Sequence, residues 1–217
     1  MRILVDGLDM SGKTTLVAAL IKTLEARGVT AVRHRGMLAE HHPVEPLLKR
    51  LPLVRQPQSS AITAAFLVGG YALDGLLVRL DPPRPADAAI IQDGYADRTI
   101  AFGLAGGPYL TAALALWASR MFATFDVAVY LHASPEVRRA RMAERADVDA
   151  TDRRGVEDLA FAARFNTSLL HFVGRRHRNL LVFDTAKHTP EEIAEQVLAV
   201  AELPALPAPK PKYRWTA

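Results

Sequence analysis

The stretch RILVDGLDMSGKTT, residues 2–15, decides the fold. Its apolar run Ile3 to Val5 predicts a β-strand, and the pattern Gly-x-x-x-x-Gly-Lys-Thr follows over residues 7–14. Glycines at 7 and 12 let the backbone curl so that successive N–H groups point inward at an anion. The helix predicted next directs its positive N-terminus at the same anion. The stretch therefore predicts a phosphate-binding loop between a strand and a helix.

This loop also supplies the residue types that triphosphate chemistry needs. Lys13 adds a mobile cation for the β- and γ-phosphates of ATP, and Thr14 offers a hydroxyl to Mg²⁺. A second metal ligand is predicted at Asp93, because it ends the apolar strand AAIIQ of residues 88–92. The metal ligands expected are thus Thr14 and Asp93. The residues predicted to bind ATP are Gly7, Ser11, Gly12, Lys13, Thr14 and Thr15.

Composition narrows the class of protein. The 217 residues are 50% hydrophobic and 23% charged, which suits one α/β domain. Cysteine is absent, which excludes disulfide scaffolds and thiol catalysis and is compatible with a reducing cytoplasm. No secretory signal and no apolar run of membrane-spanning length are visible, so a cytoplasmic protein without a membrane partner is expected. The net charge is +4, but no aromatic residues interleave with the cations, which argues against nucleic acid.

Strand and helix patterns alternate along the chain. Short apolar strands are predicted at residues 3–5, 29–32, 88–92, 127–131 and 180–183. They predict an α/β fold in three layers, a five-stranded parallel sheet flanked by helices. We expect one domain over residues 1–203, with a lid at about 141–155 and a Pro-rich tail at 204–217. A solvated surface segment is the alternative for the lid region.

Two long apolar segments are predicted to be helices. One runs from Ser59 to Leu80, and its Gly69-Gly70 pair indicates that a packed element or a substrate approaches closely there. Phe66, Tyr71 and Asp74 are the side chains that would line such a contact. The other runs from residue 107 to 125, with Trp117 predicted to lie in the core.

Polar residues also follow the predicted strands. Arg33 and Arg35 lie at the end of the second strand, where an open parallel sheet faces its ligand crevice, and they predict that a second anionic or polar group binds there. A solvated loop is the alternative there. Asp97 and Arg98 come shortly after Asp93 and are candidate substrate contacts, with a capping or turn role as the competing interpretation of Asp97.

These motifs, in this order, resemble the thymidylate kinase family of P-loop nucleoside monophosphate kinases. The resemblance covers residues 1–203 as an order of elements, but only VDGLDMSGKTT is a near literal match. It implies that Asp9 holds a sugar hydroxyl of the acceptor. Met10 stands where one subclass carries a loop arginine, so the match is to the type with lid arginines. Arg141 and Arg145 are then the implied catalytic phosphate contacts, beside Lys13 and Asp93.

Departures from the family pattern lie on the acceptor side. Arg35 falls at the arginine of the family's Arg-Glu-Pro motif, but Gly36-Met37 replace Glu-Pro. Asp93 matches the acid of Asp-Arg-Tyr, yet Gly94 replaces its arginine, and Arg98 is the candidate to replace that cation. A lost bidentate arginine changes selectivity by orders of magnitude, so a remodelled acceptor pocket is expected.

The predicted activity is transfer of a phosphoryl group from ATP to a nucleoside monophosphate. Phosphorylation of another small-molecule hydroxyl or phosphate in specialised metabolism stays open as an alternative. A nucleotide-binding regulatory ATPase is a further alternative, against which the arginine-rich lid argues. The apolar helix of residues 59–80 is also expected to form a homodimer, as in the resembled family.

Overall fold

The computed structural model describes residues 1–50, 65–82, 88–107 and 109–202. Its centre is a five-stranded, all-parallel sheet in the order β2-β3-β1-β4-β5. The strands are β1 (Arg2–Gly7), β2 (Ala31–His34), β3 (Ala89–Asp93), β4 (Val127–His132) and β5 (Leu180–Asp184). The predicted α/β class and its parallel sheet flanked by helices are confirmed. Strand boundaries agree with the sequence to within two residues, and the largest differences are in β1 and β2.

Helices follow each strand, as a parallel sheet requires. The α-helices are α1 (Lys13–Ala26), α2 (Glu45–Arg50), α3 (Leu73–Leu80), α4 (Ala96–Gly106), α5 (Tyr109–Ala118), α6 (Pro135–Ala143), α7 (Ala150–Glu157), α8 (Leu159–Thr167) and α9 (Pro190–Ala201). Ala65–Ala72 and Ser168–Phe172 are π-helical, and Ser119–Met121 and Val173–Arg176 are 3₁₀ turns. Among the described residues, no helix combines the length and apolar character that crossing a membrane demands.

Alternation along β1 explains why helices cover both faces of the sheet. Ile3 and Val5 point into one core with residues of α1 and α9, whereas Leu4 points into the other with residues of α4 and α8. All three side chains are fully buried. A strand buried on both faces has no polar side to present, which is why its sequence is continuously apolar.

The long helix predicted from Ser59 is only partly α-helical, and residues 59–64 lie outside the described part of the chain. Residues 65–72 form the π-helical segment, where the buried His42 ring nitrogen Nε2 lies 3.1 Å from the Gly70 carbonyl oxygen. His42 Nδ1 accepts the Glu45 N–H, so Nε2 carries the proton and donates. His42 thereby ties α2 to the π-helical segment.

Close packing occurs at Gly75 rather than at Gly69. A Cβ at Gly69 would have only Val44 within 4 Å, whereas one at Gly75 would lie 2.0 Å from the Met121 carbonyl oxygen. Gly75 is therefore the glycine that lets α3 pack against the turn after α5, and it comes five residues after the Gly69-Gly70 pair that the sequence singled out.

The prediction that Trp117 lies in the core is wrong. Its side chain is 84% exposed, because α5 packs through its small residues Ala112 and Ala115 and leaves the indole outside. The region predicted to be a lid also contains regular structure. Asp149 and Asp152 form a reciprocal capping box that starts α7, so only residues 144–149 lie between helices. The tail at 204–217 lies outside the described residues.

Candidate functional site

An open cleft of about 690 Å³ lies at the carboxyl ends of the strands. Parallel sheets place ligands at this edge, because loops from several strands converge there. The cleft is lined by the loop after β1, the ends of β2 and β3, the C-terminal part of α6 and the connection from β5 to α9. The residues predicted from separate stretches of sequence, Lys13, Thr14, Arg35, Asp93, Arg141 and Arg145, all line it.

The glycine loop, residues 7–12, has the backbone that its sequence predicts. Gly7 and Gly12 adopt φ values of 143° and 95°, and Met10 adopts 63°. A Cβ at Gly7 would lie 2.2 Å from the Leu131 carbonyl oxygen, so the strand β4 excludes any side chain there. This strained loop brings the start of α1 directly to the cleft, where Gly12, Lys13, Thr14 and Thr15 line it.

The N-terminus of α1 has the features of an anion-binding site. No side chain caps it, and its first turn contains no acidic residue. The leading N–H groups of a helix carry partial positive charge and require acceptors. Ser11 Oγ is buried beside them and has no partner within the described part of the chain. Because these donors lie at the cleft, they fit the phosphates of a nucleotide.

Lys13 folds back over the glycine loop. Its ammonium group donates to the carbonyl oxygens of Gly7 at 2.9 Å and Leu8 at 2.8 Å, and to Asp9 Oδ1 at 3.3 Å. Burial and the neighbouring Arg98 lower the pKa of Lys13, against the opposing effects of Asp9 and Asp6. The lysine is therefore held at the mouth of the loop, where a phosphate group can exchange for its carbonyl partners.

Asp9 and Arg98, which were predicted from separate stretches of sequence, pair with each other. The guanidinium of Arg98 donates to Asp9 Oδ2 and, at 3.4 Å, to the Gly7 carbonyl oxygen. Burial raises the pKa of Asp9, but the charges of Arg98 and Lys13 outweigh it and hold the pKa well below its ordinary value. Asp9 is thus a permanent carboxylate between two cations.

Arg141 bridges the glycine loop and the loop after β5. Its guanidinium donates to the Met10 carbonyl oxygen at 3.0 Å, to Thr185 Oγ1 at 2.9 Å and to the Thr185 carbonyl oxygen at 3.1 Å. Arg145 lies further out, with its side chain half-exposed and one nitrogen 3.9 Å from the Met10 sulfur. Both arginines therefore stand beside the loop, as the sequence predicted.

Asp93 is paired with two arginines from β2 and the residue after it. Arg33 donates to Asp93 Oδ2, and Arg35 reaches the same oxygen through Nε and Nη2, each at 2.9 Å. Burial raises the pKa of Asp93, but these hydrogen bonds and charges lower it overall. Asp93 and Thr14 share the cleft, so both predicted metal ligands are present at one site.

The donor set fits Mg²⁺ held largely by a substrate. The described residues contain no group of three or more His, Asp or Glu side chains that could hold a metal ion by themselves. Magnesium is commonly bound through one carboxylate together with phosphate oxygens and water. The Thr14 hydroxyl and the Asp93 carboxylate match that pattern.

Asp97 does not fit the predicted contact with a substrate. Its carboxylate is fully buried and is occupied by Arg176 Nε at 2.6 Å and His177 Nε2 at 2.7 Å. The contacts with Arg176 and His177 outweigh the effect of burial and lower the pKa of Asp97 to about 2. Asp97 is an interior ion-pair partner that joins α4 to the turn before β5.

Tyr71 is likewise placed in the core. Its ring packs edge-on against Tyr95, with centroids 4.8 Å apart, and is nearly inaccessible. Asp74 is also fully buried, and its carboxylate accepts the Ala39 N–H at 2.7 Å. The predicted contact of Tyr71 and Asp74 with a substrate is therefore not supported. The Phe66 side chain lies outside the described part of the structure, so that residue stays a prediction.

Sequence reasoning missed residues that tertiary structure brings to the cleft. Thr185, which holds Arg141, follows the carboxyl end of β5, and the rule applied to Arg35 would have found it. Arg33 was predicted, with Arg35, to face the crevice, but only the pairing of β2 with β3 shows that its partner is Asp93. Asp6 is also distinctive: burial, aided by the charge of Asp97, raises its pKa to about 7.

No protein-family model matches the chain, and no curated protein matches it in sequence at a significant level.

Proposed function

We propose that the chain is an ATP-dependent phosphotransferase of the thymidylate kinase type that phosphorylates a nucleoside monophosphate. One observation carries the proposal: the uncapped start of α1, Lys13 and Arg141 converge on one cleft at the carboxyl ends of parallel strands. A purely structural loop has no need of three convergent positive groups. The family resemblance of residues 2–15 supports the same conclusion.

Phosphoryl transfer asks mainly for positioning and charge stabilisation. The bond from the γ-phosphorus to the ADP oxygen breaks as a bond forms to an acceptor oxygen. Lys13 and the N–H groups of α1 bind the phosphates, and Arg141 and Arg145 stabilise charge on the transferred group. When bound, Mg²⁺, held by Thr14 and Asp93, would neutralise phosphate charge.

The cleft carboxylates favour a phosphate over a hydroxyl as the acceptor. A general base works best when its pKa is near the operating pH. Asp9 and Asp93 both have lowered pKa values because arginines surround them, so they are weak bases. A phosphate monoester brings an oxygen that is already deprotonated, whereas a hydroxyl requires a base.

The activity is tested by measuring ADP release from MgATP with two panels of acceptors. One panel contains nucleoside monophosphates, and the other contains the matching nucleosides. We expect acceptor-dependent release with at least one monophosphate and none with its nucleoside. Turnover with hydroxyl compounds alone would favour the alternative kinase, and release independent of any acceptor would favour the regulatory ATPase. Salt-sensitive binding of an oligonucleotide would instead indicate that the protein binds nucleic acid.

We also propose a homodimer through the helix at residues 59–80. Exposed apolar side chains on α3 and on the neighbouring α5 segment support it, and they are Leu76, Leu80, Leu114, Trp117 and Met121. The Arg79 guanidinium donates to the Arg120 carbonyl oxygen, so the two helices present adjacent surfaces. Light scattering should give twice the chain mass, reduced to one chain mass by Trp117→Glu. A monomeric parent protein would contradict the dimer.

A further inference from the structure

The Asp93 cluster, defined as Arg33, Arg35 and Asp93, is the feature of the cleft that the proposed function leaves unexplained. A carboxylate that is to hold a metal ion is here engaged by two guanidinium groups on one oxygen. Family resemblance accounts for Arg35 but not for Arg33. The pairing of Arg33 with Asp93 therefore has to be explained from the geometry of this chain.

The two arginines are held in place by the sheet. Arg33 pairs with Ile91 in the parallel register of β2 with β3, which sets Arg35 beside Asp93. Gln92 Nε2 donates to the carbonyl oxygens of Gly36 at 2.9 Å and Gly94 at 2.8 Å, fixing the ends of both strands. Alternate residues of a strand share a face, so both guanidiniums reach the same carboxylate.

Exposure within the cluster is uneven. The Asp93 side chain is 7% exposed, whereas those of Arg33 and Arg35 are 34% and 64% exposed. The carboxylate is thus nearly covered while the cations remain open to ligands. The cluster has a net charge of +1, which repels a divalent cation and attracts an anion.

We infer that the Asp93 cluster couples the two substrates: an anionic group of the acceptor draws Arg33 and Arg35 away from Asp93, which frees the carboxylate for the donor's Mg²⁺. This inference rests on the proposed function and deepens it, because it requires an acceptor that carries a phosphate group. Coupling of this kind is reciprocal, so the metal-bound donor strengthens acceptor binding equally. Arg33 acts here as a positioning residue, through Asp93.

Calorimetric binding of the non-hydrolysable analogue AMP-PNP tests the coupling, with and without Mg²⁺ and with inorganic phosphate as the anionic probe. AMP-PNP fills the donor phosphate positions, so added phosphate reports on the arginines. For the parent protein we expect phosphate to tighten AMP-PNP binding about fivefold or more with Mg²⁺, and to have no effect without it.

Arg33→Gln should shift this pattern without harming the fold. In the variant, AMP-PNP should bind about threefold or more tightly than in the parent when Mg²⁺ is present, because one of the two guanidiniums on Asp93 is gone, and phosphate should tighten binding less than in the parent, because only Arg35 remains to be drawn away. Arg27→Gln is the matched control, because Arg27 pairs with the exposed Glu195 and Glu202. A merely structural role for Arg33 would change the melting temperature but not the Mg²⁺ dependence.

The outcomes separate the two claims. If the parent binds AMP-PNP with Mg²⁺ but neither phosphate nor Arg33→Gln alters its affinity, the coupling is overturned and the kinase proposal survives. If the parent does not bind AMP-PNP at all, the proposed function itself fails.

Discussion

On the proposed donor side of the cleft, Arg141 contacts backbone carbonyls and a threonine, and the start of α1 has no cap. On the acceptor side, the arginines are already paired with carboxylates: Arg98 with Asp9, and Arg33 and Arg35 with Asp93. Arg141 and the start of α1 therefore present positive charge that no described carboxylate pairs with, which suits the donor polyanion that we propose, whereas Lys13 must exchange its carbonyl partners to bind it. A ligand on the acceptor side must exchange partners, and exchange gives selectivity because each wrong ligand leaves a charge unpaired.

The largest effect is expected at Asp97, which lies behind the acceptor side. Asp97→Asn should lower the free energy of unfolding by about 3–5 kcal/mol, because Arg176 and His177 lose a buried charged partner. Chemical denaturation measures it, with the exposed Asp147→Asn as control. If Asp97→Asn were stable but bound the acceptor differently, the result would support the prediction that Asp97 contacts the substrate.

Lys13→Ala tests the donor side. We expect loss of about 10²- to 10³-fold in turnover, because the substitution removes a cation from the transferring phosphates. The fold should survive, since the lysine partners are two loop carbonyls and Asp9. Lys22→Ala, on the exposed side of the same helix, should be neutral. Full activity in Lys13→Ala would contradict the proposal that Lys13 binds the phosphates of ATP.

Arg141→Gln should weaken AMP-PNP binding about tenfold. The guanidinium spans the glycine loop and Thr185, so its loss removes one charge-assisted contact and loosens the donor side. Arg139→Gln, an exposed neighbour on α6, is the control. Equal affinities for the two variants would show that the donor side does not depend on this bridge.

The last effect depends on pH and concerns Asp6, which is fully buried. Its pKa is raised from 3.8 to about 7, so the protonated form favours folding. That stability is complete below pH 3.8 and is lost as the pH rises toward 7. Asp6→Asn cannot ionise, so its stability relative to the parent should increase between pH 5 and pH 8. Thermal unfolding of both proteins across this range checks it; parallel curves would contradict the raised pKa.

Much of the donor side was predictable because its chemistry is local. Residues 7–15 are a short loop and the first residues of α1. Residues that are close together in this part of the chain are therefore also close together in space. The sheet was predictable for a similar reason, since each buried strand is an apolar run. The acceptor side was predicted less well: Asp97 and Tyr71 have suitable chemistry and suitable positions in the sequence, but both are buried against other elements.

The amino-acid sequence alone determined the α/β class, the parallel strands and the phosphate-loop pattern, because periodicity and short motifs act over a few residues. Tertiary structure alone decided that Arg33 joins Arg35 at Asp93, that Arg176 and His177 occupy Asp97, and that Trp117 is exposed. These outcomes depend on which distant residues share a charge or a surface. The Arg176 and Asp97 positions are 79 residues apart, and only packing makes them neighbours.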